Sequence, residues 1–479
     1  MRKSSAETSR QDFIQSRAEH WDRVSGHYTD ASRPGRYYHR MLESYYRFMV
    51  PENARVLELG CGHGDLLASL SPSLGVGVDL SEKMVARARE KHPGLTFVTA
   101  DAAGFTYPEP FDVIILSDLV NDLWDVQSVL EMLHPLCHPG TRIIINFYNN
   151  LWKIPLGAVR RLGLGAETLQ QSWFSPHDVA NMLALSGYEP FKRTWMILLP
   201  LPWSSLFNRY LVHFWPFSWM ALTNVVVARP LPGPPAAQAP TVSVIVPARN
   251  EAGNIENIIS RVPEMGGGTE IVFVEGHSTD DTYKTIEEAI GRHPEKKCLL
   301  LRQTGKGKGD AVRLGFDRAS GDILMILDAD LTVPPEDLPR FYDALVSGKG
   351  DFINGVRLVY PMEDRAMRFF NMLGNKFFSM AFSWLLGQPV KDTLCGTKVM
   401  WNRDYRKLAQ NRSYFGDFDP FGDFDLIFGA ARMNLKIVDM PIRYRERTYG
   451  ETNIERWRHG WQLMKMVLFA ATRIKFLRI

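Results

Sequence analysis

Two aspartates one residue apart, Asp328 and Asp330, close the apolar run in G-D-I-L-M-I-L-D-A-D. A buried strand ending this way holds two carboxylates at its mouth. Hard divalent cations take oxygen ligands of that kind together with substrate phosphates, so the pair suits Mg2+ or Mn2+ bridging a diphosphate. Glu275 closes a second run, E-I-V-F-V-E, and P-A-R-N-E (Pro247 to Glu251) follows a third, T-V-S-V-I-V. Nearer the N-terminus, V-L-E-L runs into G-C-G-H-G, where Gly60, Gly62 and Gly64 let the backbone turn tightly and approach a ligand. The next run, G-V-G-V-D, ends in Asp79, placed to accept hydrogen bonds from ribose hydroxyls. F-V-T-A-D-A then supplies Asp101 and the Ala102 amide, suited to an adenine edge, and F-D-V-I-I-L-S-D leads to Ser117 and Asp118. The dinucleotide fingerprint needs glycine at position 65, where Asp65 stands, so a nucleoside other than a nicotinamide dinucleotide is expected.

These residues need strands to carry them. At 479 residues, 45% hydrophobic and 23% charged, the chain folds, into two or three cores at about 150 residues each. Five prolines in the twelve residues from Arg229 to Pro240 mark a semi-rigid spacer. It divides the chain into residues 1–229, a linker 230–240, residues 241–457 and a C-terminal segment 458–479. On each side of the linker, short apolar runs alternate with stretches of helical spacing. Each half therefore reads as a mostly parallel α/β sheet, with ligands beyond the carboxyl ends of the strands.

The net charge of +3 is too small for a protein that coats nucleic acid. The basic excess is local: Arg443 to Ile479 holds nine basic and three acidic residues, +6, leaving −3 for the rest. Cys61, Cys137, Cys298 and Cys395 form no C-x-x-C pair, so a reducing cytosol is expected. The polar start predicts no export, and no run reaches the ~20 apolar residues of a membrane span.

The first half resembles the Rossmann-like S-adenosylmethionine-dependent methyltransferases from about Asp22 to Arg229, with L-E-L-G-C-G-H-G as the glycine motif and G-V-D-L-S as the acidic strand end. The resemblance implies cofactor contacts from Glu58, Gly60, Gly62, Gly64, Asp79, Leu80, Asp101, Ala102 and Ser117. Methyl transfer from a sulfonium is an in-line displacement that rests on positioning and needs no metal. A hydroxyl acceptor would be helped by a base, for which Asp118, Asp122 and His177 are candidates.

The second half, Val242 to Trp457, resembles the inverting glycosyltransferases of family 2 with the GT-A fold. P-A-R-N-E matches their first nucleotide loop, G-K-G-D-A-V-R-L-G-F their glycine-rich segment and D-A-D their metal motif. D-T-L-C-G-T-K, F-G-D-F-D-L-I-F-G-A and Y-R-E-R-T-Y-G-E-T-N-I resemble the branch that charges polyprenyl phosphates, the dolichyl-phosphate mannose or glucose synthases. One departure is visible: Glu275 and Gly276 stand where the family commonly has paired aspartates. The resemblance implies nucleotide-sugar contacts from Pro247, Asn250, Glu251, Glu275, Lys308, Asp328 and Ala329, with the metal on Asp328 and Asp330. Lys306 is a further phosphate-neutralising candidate. Asp330, Asp423 and Asp425 are the implied catalytic carboxylates. A hydroxyl acceptor would use Asp423 or Asp425 as base, whereas an ionised phosphate is already nucleophilic. Arg443, Arg445 and Arg447 alternate as strand residues do and are placed to bind an acceptor phosphate.

The expectation is thus two α/β domains, an N-terminal Rossmann-like methyltransferase sheet and a C-terminal GT-A sheet. The leading reading is a bifunctional transferase that loads sugar onto a polyprenyl phosphate. The alternatives are transfer to a glycan hydroxyl, with the first domain modifying the same glycan, or a first domain that only binds ligand. A lipid acceptor would bring the chain to the cytoplasmic face of a membrane. The apolar stretch between Trp195 and Trp219 and the basic C-terminal segment are two candidate contacts.

Overall fold

A computed structural model describes residues 5–26, 33–161, 169–233, 238–357, 369–410, 412, 424–443, 449 and 456–477. The chain separates into two compact units, Met1–Leu231 with Ile474–Ile479, and Pro232–Arg473. The last six residues thus belong with the first unit, while the helix Arg456–Ala470 before them belongs to the second.

The first unit is built on a seven-stranded sheet, β1 (Arg55–Leu59), β2 (Leu74–Asp79), β3 (Thr96–Thr99), β4 (Phe111–Ser117), β5 (Cys137–Tyr148), β6 (Tyr188–Trp195) and β7 (Thr223–Pro230). Their order is β3-β2-β1-β4-β5-β7-β6, and β7 runs antiparallel to both its neighbours. β1 and β4 are apolar at most of their positions because helices cover both faces; Val56, Leu57, Ile114 and Ile115 have no solvent exposure. Two helices, α1 (Ser5–Val24) and α2 (Arg33–Met49), precede the sheet. α2 buries Tyr38, Met41, Leu42, Tyr45, Tyr46 and Met49, an i, i+3, i+4 stripe that faces the protein. After β1 comes the short α3 (Asp65–Ser69), and after β2 comes α4 (Glu82–Lys91), whose first turn is capped by the Ser81 hydroxyl accepting from Met84 N–H.

The second unit holds another seven-stranded sheet, β8 (Val242–Ala248), β9 (Thr269–Glu275), β10 (Lys297–Arg302), β11 (Ile323–Ile326), β12 (Phe352–Val356), β13 (Lys398–Trp401) and β14 (Ile437–Pro441). The order is β10-β9-β8-β11-β13-β12-β14. β10, β9, β8 and β11 are parallel; β13 reverses direction against β11 and β12. The helix Lys308–Arg318 packs onto β8 and β9 at Gly315, where a Cβ would strike Ile245. That close approach sets the N-terminus of the helix beside the strand ends.

Candidate functional sites

In the first unit, β1 delivers the chain to a loop that only glycine follows without strain: Gly60, Gly62 and Gly64 adopt φ of +72°, +51° and +75°. Gly60 and Cys61 N–H groups both donate to Val78 O, at 2.7 and 3.1 Å, and anchor the loop to β2. Asp79, at the end of β2, accepts from Gly62 N–H on one oxygen and from Ser81 N–H on the other, each at 2.9 Å. One carboxylate therefore gathers the glycine loop and the entry to α4. Burial raises the Asp79 pKa while the Ser81, Gly62 and Leu80 amides pull the other way. Beneath the loop, Glu58 is buried and accepts Leu67 N–H at 3.1 Å, which fixes the start of α3; burial holds its pKa well above the usual carboxylate range. Asp101 caps the turn Ala102–Gly104 by accepting Ala103 N–H at 3.1 Å, with Ala102 buried behind it.

Ser117 pairs with Asn146 across β4 and β5, and Asp118 follows at φ +53°. Asp118 sits in a polar network. Tyr38 Oη lies 2.9 and 3.0 Å from its two oxygens, and Asn146 donates from Nδ2 at 2.7 Å. Tyr46 in turn donates to Asn146 Oδ1 at 2.6 Å. Burial pushes Asp118 up to about 7, against the hydrogen bonds from Tyr38 and Asn146. Asp122 is engaged differently: Trp21 Nε1 donates to it at 3.0 Å and Arg17 lies 3.2 Å away. Arg10 reaches Asp101 at 2.6 Å, and Asp22 accepts from the Ser81 hydroxyl and Lys83 N–H. α1 is thus fastened across the ends of β2, β3 and β4. His177 is exposed on the first turn of the helix Pro176–Leu185.

In the second unit the ends of β8 and β9 are linked through their loops. Asn250, at φ +57°, accepts from Thr279 N–H at 2.8 Å, and its own N–H donates to Ser278 Oγ at 3.1 Å. Glu251 is buried; its N–H donates to Thr282 Oγ1 at 2.9 Å and its carboxylate accepts from Asn254 at 2.7 Å. Glu275, paired with Ala248 across β8 and β9, accepts Ser278 N–H at 2.6 Å. Pro247, one residue earlier in β8, pairs with Val274.

Beyond β11, Asp328 lies 2.6 Å from Lys308 Nζ at the head of the helix Lys308–Arg318. Ala329 is buried between the aspartates, and Asp330 accepts from Thr332 N–H and Oγ1 at 3.1 and 2.7 Å. Gly396 backs onto this pair: a Cβ there would collide with the Asp328 carboxylate and the Lys308 ammonium. The same helix carries Arg313, 3.4 Å from Asp425, and Arg412 lies 3.4 Å from Asp425 as well. Lys306 is exposed. Among the described residues, no group of three or more His, Cys, Asp or Glu side chains converges as a metal cage.

The expected residues are therefore brought together as two separate sets, Glu58 to Asp118 in the first unit and Pro247 to Asp330 in the second. Arg443 stands apart from any strand: it is exposed, two residues past the end of β14, while Arg445, Arg447 and Asp423 lie outside the described residues. Sequence reasoning missed Tyr38, Asn146 and Gly396. Buried phenols on the apolar face of α2 were the signal for Tyr38, since a buried tyrosine hydroxyl needs a partner. Tyr449 was missed too; it packs against Gly253, beside the Asn250 loop.

Residues 243–426 match the family model described as glycosyl transferase family 2, and residues 56–140 match that of a methyltransferase domain. Among curated proteins, the dolichol-phosphate mannosyltransferase of Pyrococcus furiosus is 31% identical over 234 residues, covering 47% of this chain and 64% of that protein. A low-salt glycan biosynthesis hexosyltransferase of Haloferax volcanii is 30% identical, covering 49% of this chain and 54% of that protein. The polyprenol monophosphomannose synthase of Mycolicibacterium smegmatis is 29% identical, covering 45% and 82%. The chain thus spans less than two thirds of the length of the first two.

Proposed function

We propose that this chain, which joins a methyltransferase domain to a family 2 glycosyltransferase domain, is a bifunctional transferase: it moves a methyl group from S-adenosylmethionine and, separately, a sugar from a nucleotide sugar to a polyprenyl phosphate. The observation that carries the second activity is the clustering of Asp328, Lys308 and Gly396 beside Asp330 at the end of β11. Similarity to enzymes named for dolichol phosphate and polyprenol supports the acceptor.

The residues present fit both groups. Two carboxylates with hard oxygen donors suit Mg2+ or Mn2+, and the missing side chain at Gly396 is what lets the Asp328 carboxylate and the Lys308 ammonium lie against that backbone. Asp328 and Asp330 would hold the cation together with phosphate oxygens of the nucleotide. Such a cation offsets charge on the departing diphosphate. Lys308, 2.6 Å from Asp328, would add its own positive charge on the diphosphate side. Asn250, Glu251 and Glu275 shape the nucleotide side of the cleft through their ties to Ser278, Thr279 and Thr282. Pro247 and Ala329 line it as backbone and apolar wall. Arg443, with Arg445 and Arg447, meets the acceptor phosphate.

In the first unit the glycine loop and the carboxylates at the ends of β2 and β3 suit a nucleoside. S-adenosylmethionine supplies a methyl group already activated by the positive sulfur. Asp79 orders the cradle and meets the ribose, Glu58 and Leu80 support it from below and beside, and Asp101 with Ala102 meets the base. Asp118 takes the acceptor's proton, with Tyr38 and Asn146 holding it in place. The deciding experiment incubates the protein with labelled nucleotide sugars and a membrane lipid extract, and in parallel with labelled S-adenosylmethionine. Label in a soluble glycan but not in lipid would move the acceptor to a hydroxyl; absence of methyl transfer would leave the first unit a binding module.

A further inference from the structure

Between Pro202 and Met220 the first unit presents a surface that neither proposed reaction uses. The turn Pro202–Ser204, the short helix Ser205–Arg209 and the turn Leu211–His213 rest on a small apolar cluster of Leu198, Val212 and Ala221. A buried polar knot fixes them. Asn208 accepts from Leu198 and Leu199 N–H at 2.8 and 2.9 Å and donates to Leu199 O at 2.6 Å and Ser204 Oγ at 2.9 Å. At the other end, Asn149 Nδ2 donates to Trp219 O at 3.0 Å and Ala221 O at 2.9 Å. The backbone is thereby held in one shape with its largest side chains outside: Trp203, Leu206, Trp215 and Trp219 are 67%, 66%, 84% and 63% exposed. Folded domains rarely leave so contiguous an apolar surface in water unless something covers it.

Charge and side-chain type select what covers it. From Pro190 to Leu231 the chain contains no Asp or Glu; of its basic residues, Lys192 is buried and Arg229 is buried against Glu189, while Arg193 is exposed and Arg209 half-buried. An anionic layer meets no repulsion here. Tryptophan, with an apolar ring and a polar N–H, settles where headgroups meet acyl chains. The elements are too short to span a bilayer, and none of the helices among the described residues is long and apolar enough to cross one. Phe476 already packs against Tyr210, His213 and Phe214, with ring centroids 5.0, 5.9 and 6.4 Å apart, and leaves the three tryptophans open.

We propose that the surface from Trp203 to Met220 docks the protein on an anionic phospholipid interface, with Trp203, Trp215 and Trp219 seated at headgroup depth and Arg209, on the same stretch, facing the headgroups. The docking is independent of which molecule accepts the sugar, and its test is built to keep the two apart. The full chain is floated with vesicles of phosphatidylcholine alone and of phosphatidylcholine with phosphatidylserine, both free of polyprenyl phosphate. Binding is expected to the second, with tryptophan emission quenched by brominated acyl chains. Replacing Trp203, Trp215 and Trp219 together by serine is expected to lower vesicle affinity about tenfold or more. Should that variant lose its fold by circular dichroism, Trp215→Ser alone, at the most exposed position, is expected to lower affinity and quenching together. Wild-type protein that neither floats nor is quenched would overturn the proposal. So would variants that float as well as wild type, or a triple substitution that only dissociates a dimer in sedimentation equilibrium. Vesicle docking without sugar transfer to a detergent-solubilised polyprenyl phosphate would leave the docking face standing and count against the acceptor reading.

Discussion

Tyr38 and Asp118, 80 residues apart in sequence, meet at the end of β4: the phenol oxygen lies 2.9 and 3.0 Å from the two carboxylate oxygens. The pair is closed by Asn146 and Tyr46, so a carboxyl that would face water at an ordinary strand end is instead enclosed by hydroxyl and amide groups.

That enclosure predicts a pH dependence. Burial raises Asp118 from 3.8 to about 7. A proton acceptor must be ionised, so kcat/KM for methyl transfer should rise with pH and level off above about 7. Asp118→Asn should lower it by roughly 10² to 10⁴-fold and flatten the profile. Stability should run oppositely. The folded state keeps the proton over a range where the unfolded chain has lost it, so this group's contribution is full below 3.8 and is lost as pH rises to about 7. Chemical denaturation at several pH values should show that slope in the wild type and not in the variant. A pH-independent rate would remove Asp118 from proton transfer.

Asp79 offers a test of the cofactor. Its two oxygens hold Gly62 and Ser81 N–H groups, so its loss disturbs both the glycine loop and any ribose contact. Asp79→Ala should weaken S-adenosylmethionine binding by roughly 1.5–3 kcal/mol in calorimetry, the range for hydrogen bonds to charged groups. Unchanged affinity in a folded variant would put the ribose elsewhere.

What the sequence made legible was local. β4 and β11 show themselves as apolar runs because both faces are covered, and the polar residue after each run is where a parallel sheet exposes its chemistry. Asp79, Asp118 and Asp328 were visible for that reason. The partners of Asp101, Asp118, Asp122 and Asp328 were not, because Arg10, Tyr38 and Trp21 arrive on α1 and α2 from before the sheet, and Gly396 arrives on a loop 68 residues after Asp328. Which helix packs over which strand end is decided by tertiary fit, not by spacing along the chain. The return of residues 474–479 to the first unit was hidden for the same cause.

The two units carry their chemistry on separate sheets, which makes a selective lesion possible. Asp330→Ala should lower sugar transfer by roughly 10²- to 10³-fold, and EDTA should abolish it, with methyl transfer unchanged in both cases. With Asp328 and Asp330 proposed as the cation's protein ligands, Mn2+ binding followed by electron paramagnetic resonance should be weak in the protein alone and tighten when a nucleoside diphosphate is added. Full sugar transfer in EDTA would sink the metal-bridged diphosphate.

Arg443 is exposed past the end of β14, and its effect should fall on the acceptor alone. Arg443→Gln should raise KM for lipid phosphate about tenfold, the loss of one charge-assisted hydrogen bond, and leave KM for the nucleotide sugar unchanged. Equal changes in both constants would place Arg443 in general folding or at the donor.

Asp425 discriminates between the acceptors. It is buried between Arg313 and Arg412, each 3.4 Å away, and both guanidiniums keep some access to water. Asp425→Asn leaves the shape and removes the charge, so the second unit should lose about 1–3 kcal/mol, less than a fully buried pair would, read as a lower midpoint in urea. Below that midpoint the variant remains folded and its chemistry can be measured. An ionised phosphate acceptor brings its own nucleophilic oxygen and needs no base, so kcat with polyprenyl phosphate should stay close to that of wild type. A hydroxyl acceptor must shed a proton; if Asp425 receives it, the same variant should lose roughly 10²-fold or more. A loss of that size with polyprenyl phosphate itself would show that Asp425 takes part in the chemistry and would reject the account in which the two arginines simply hold it in place.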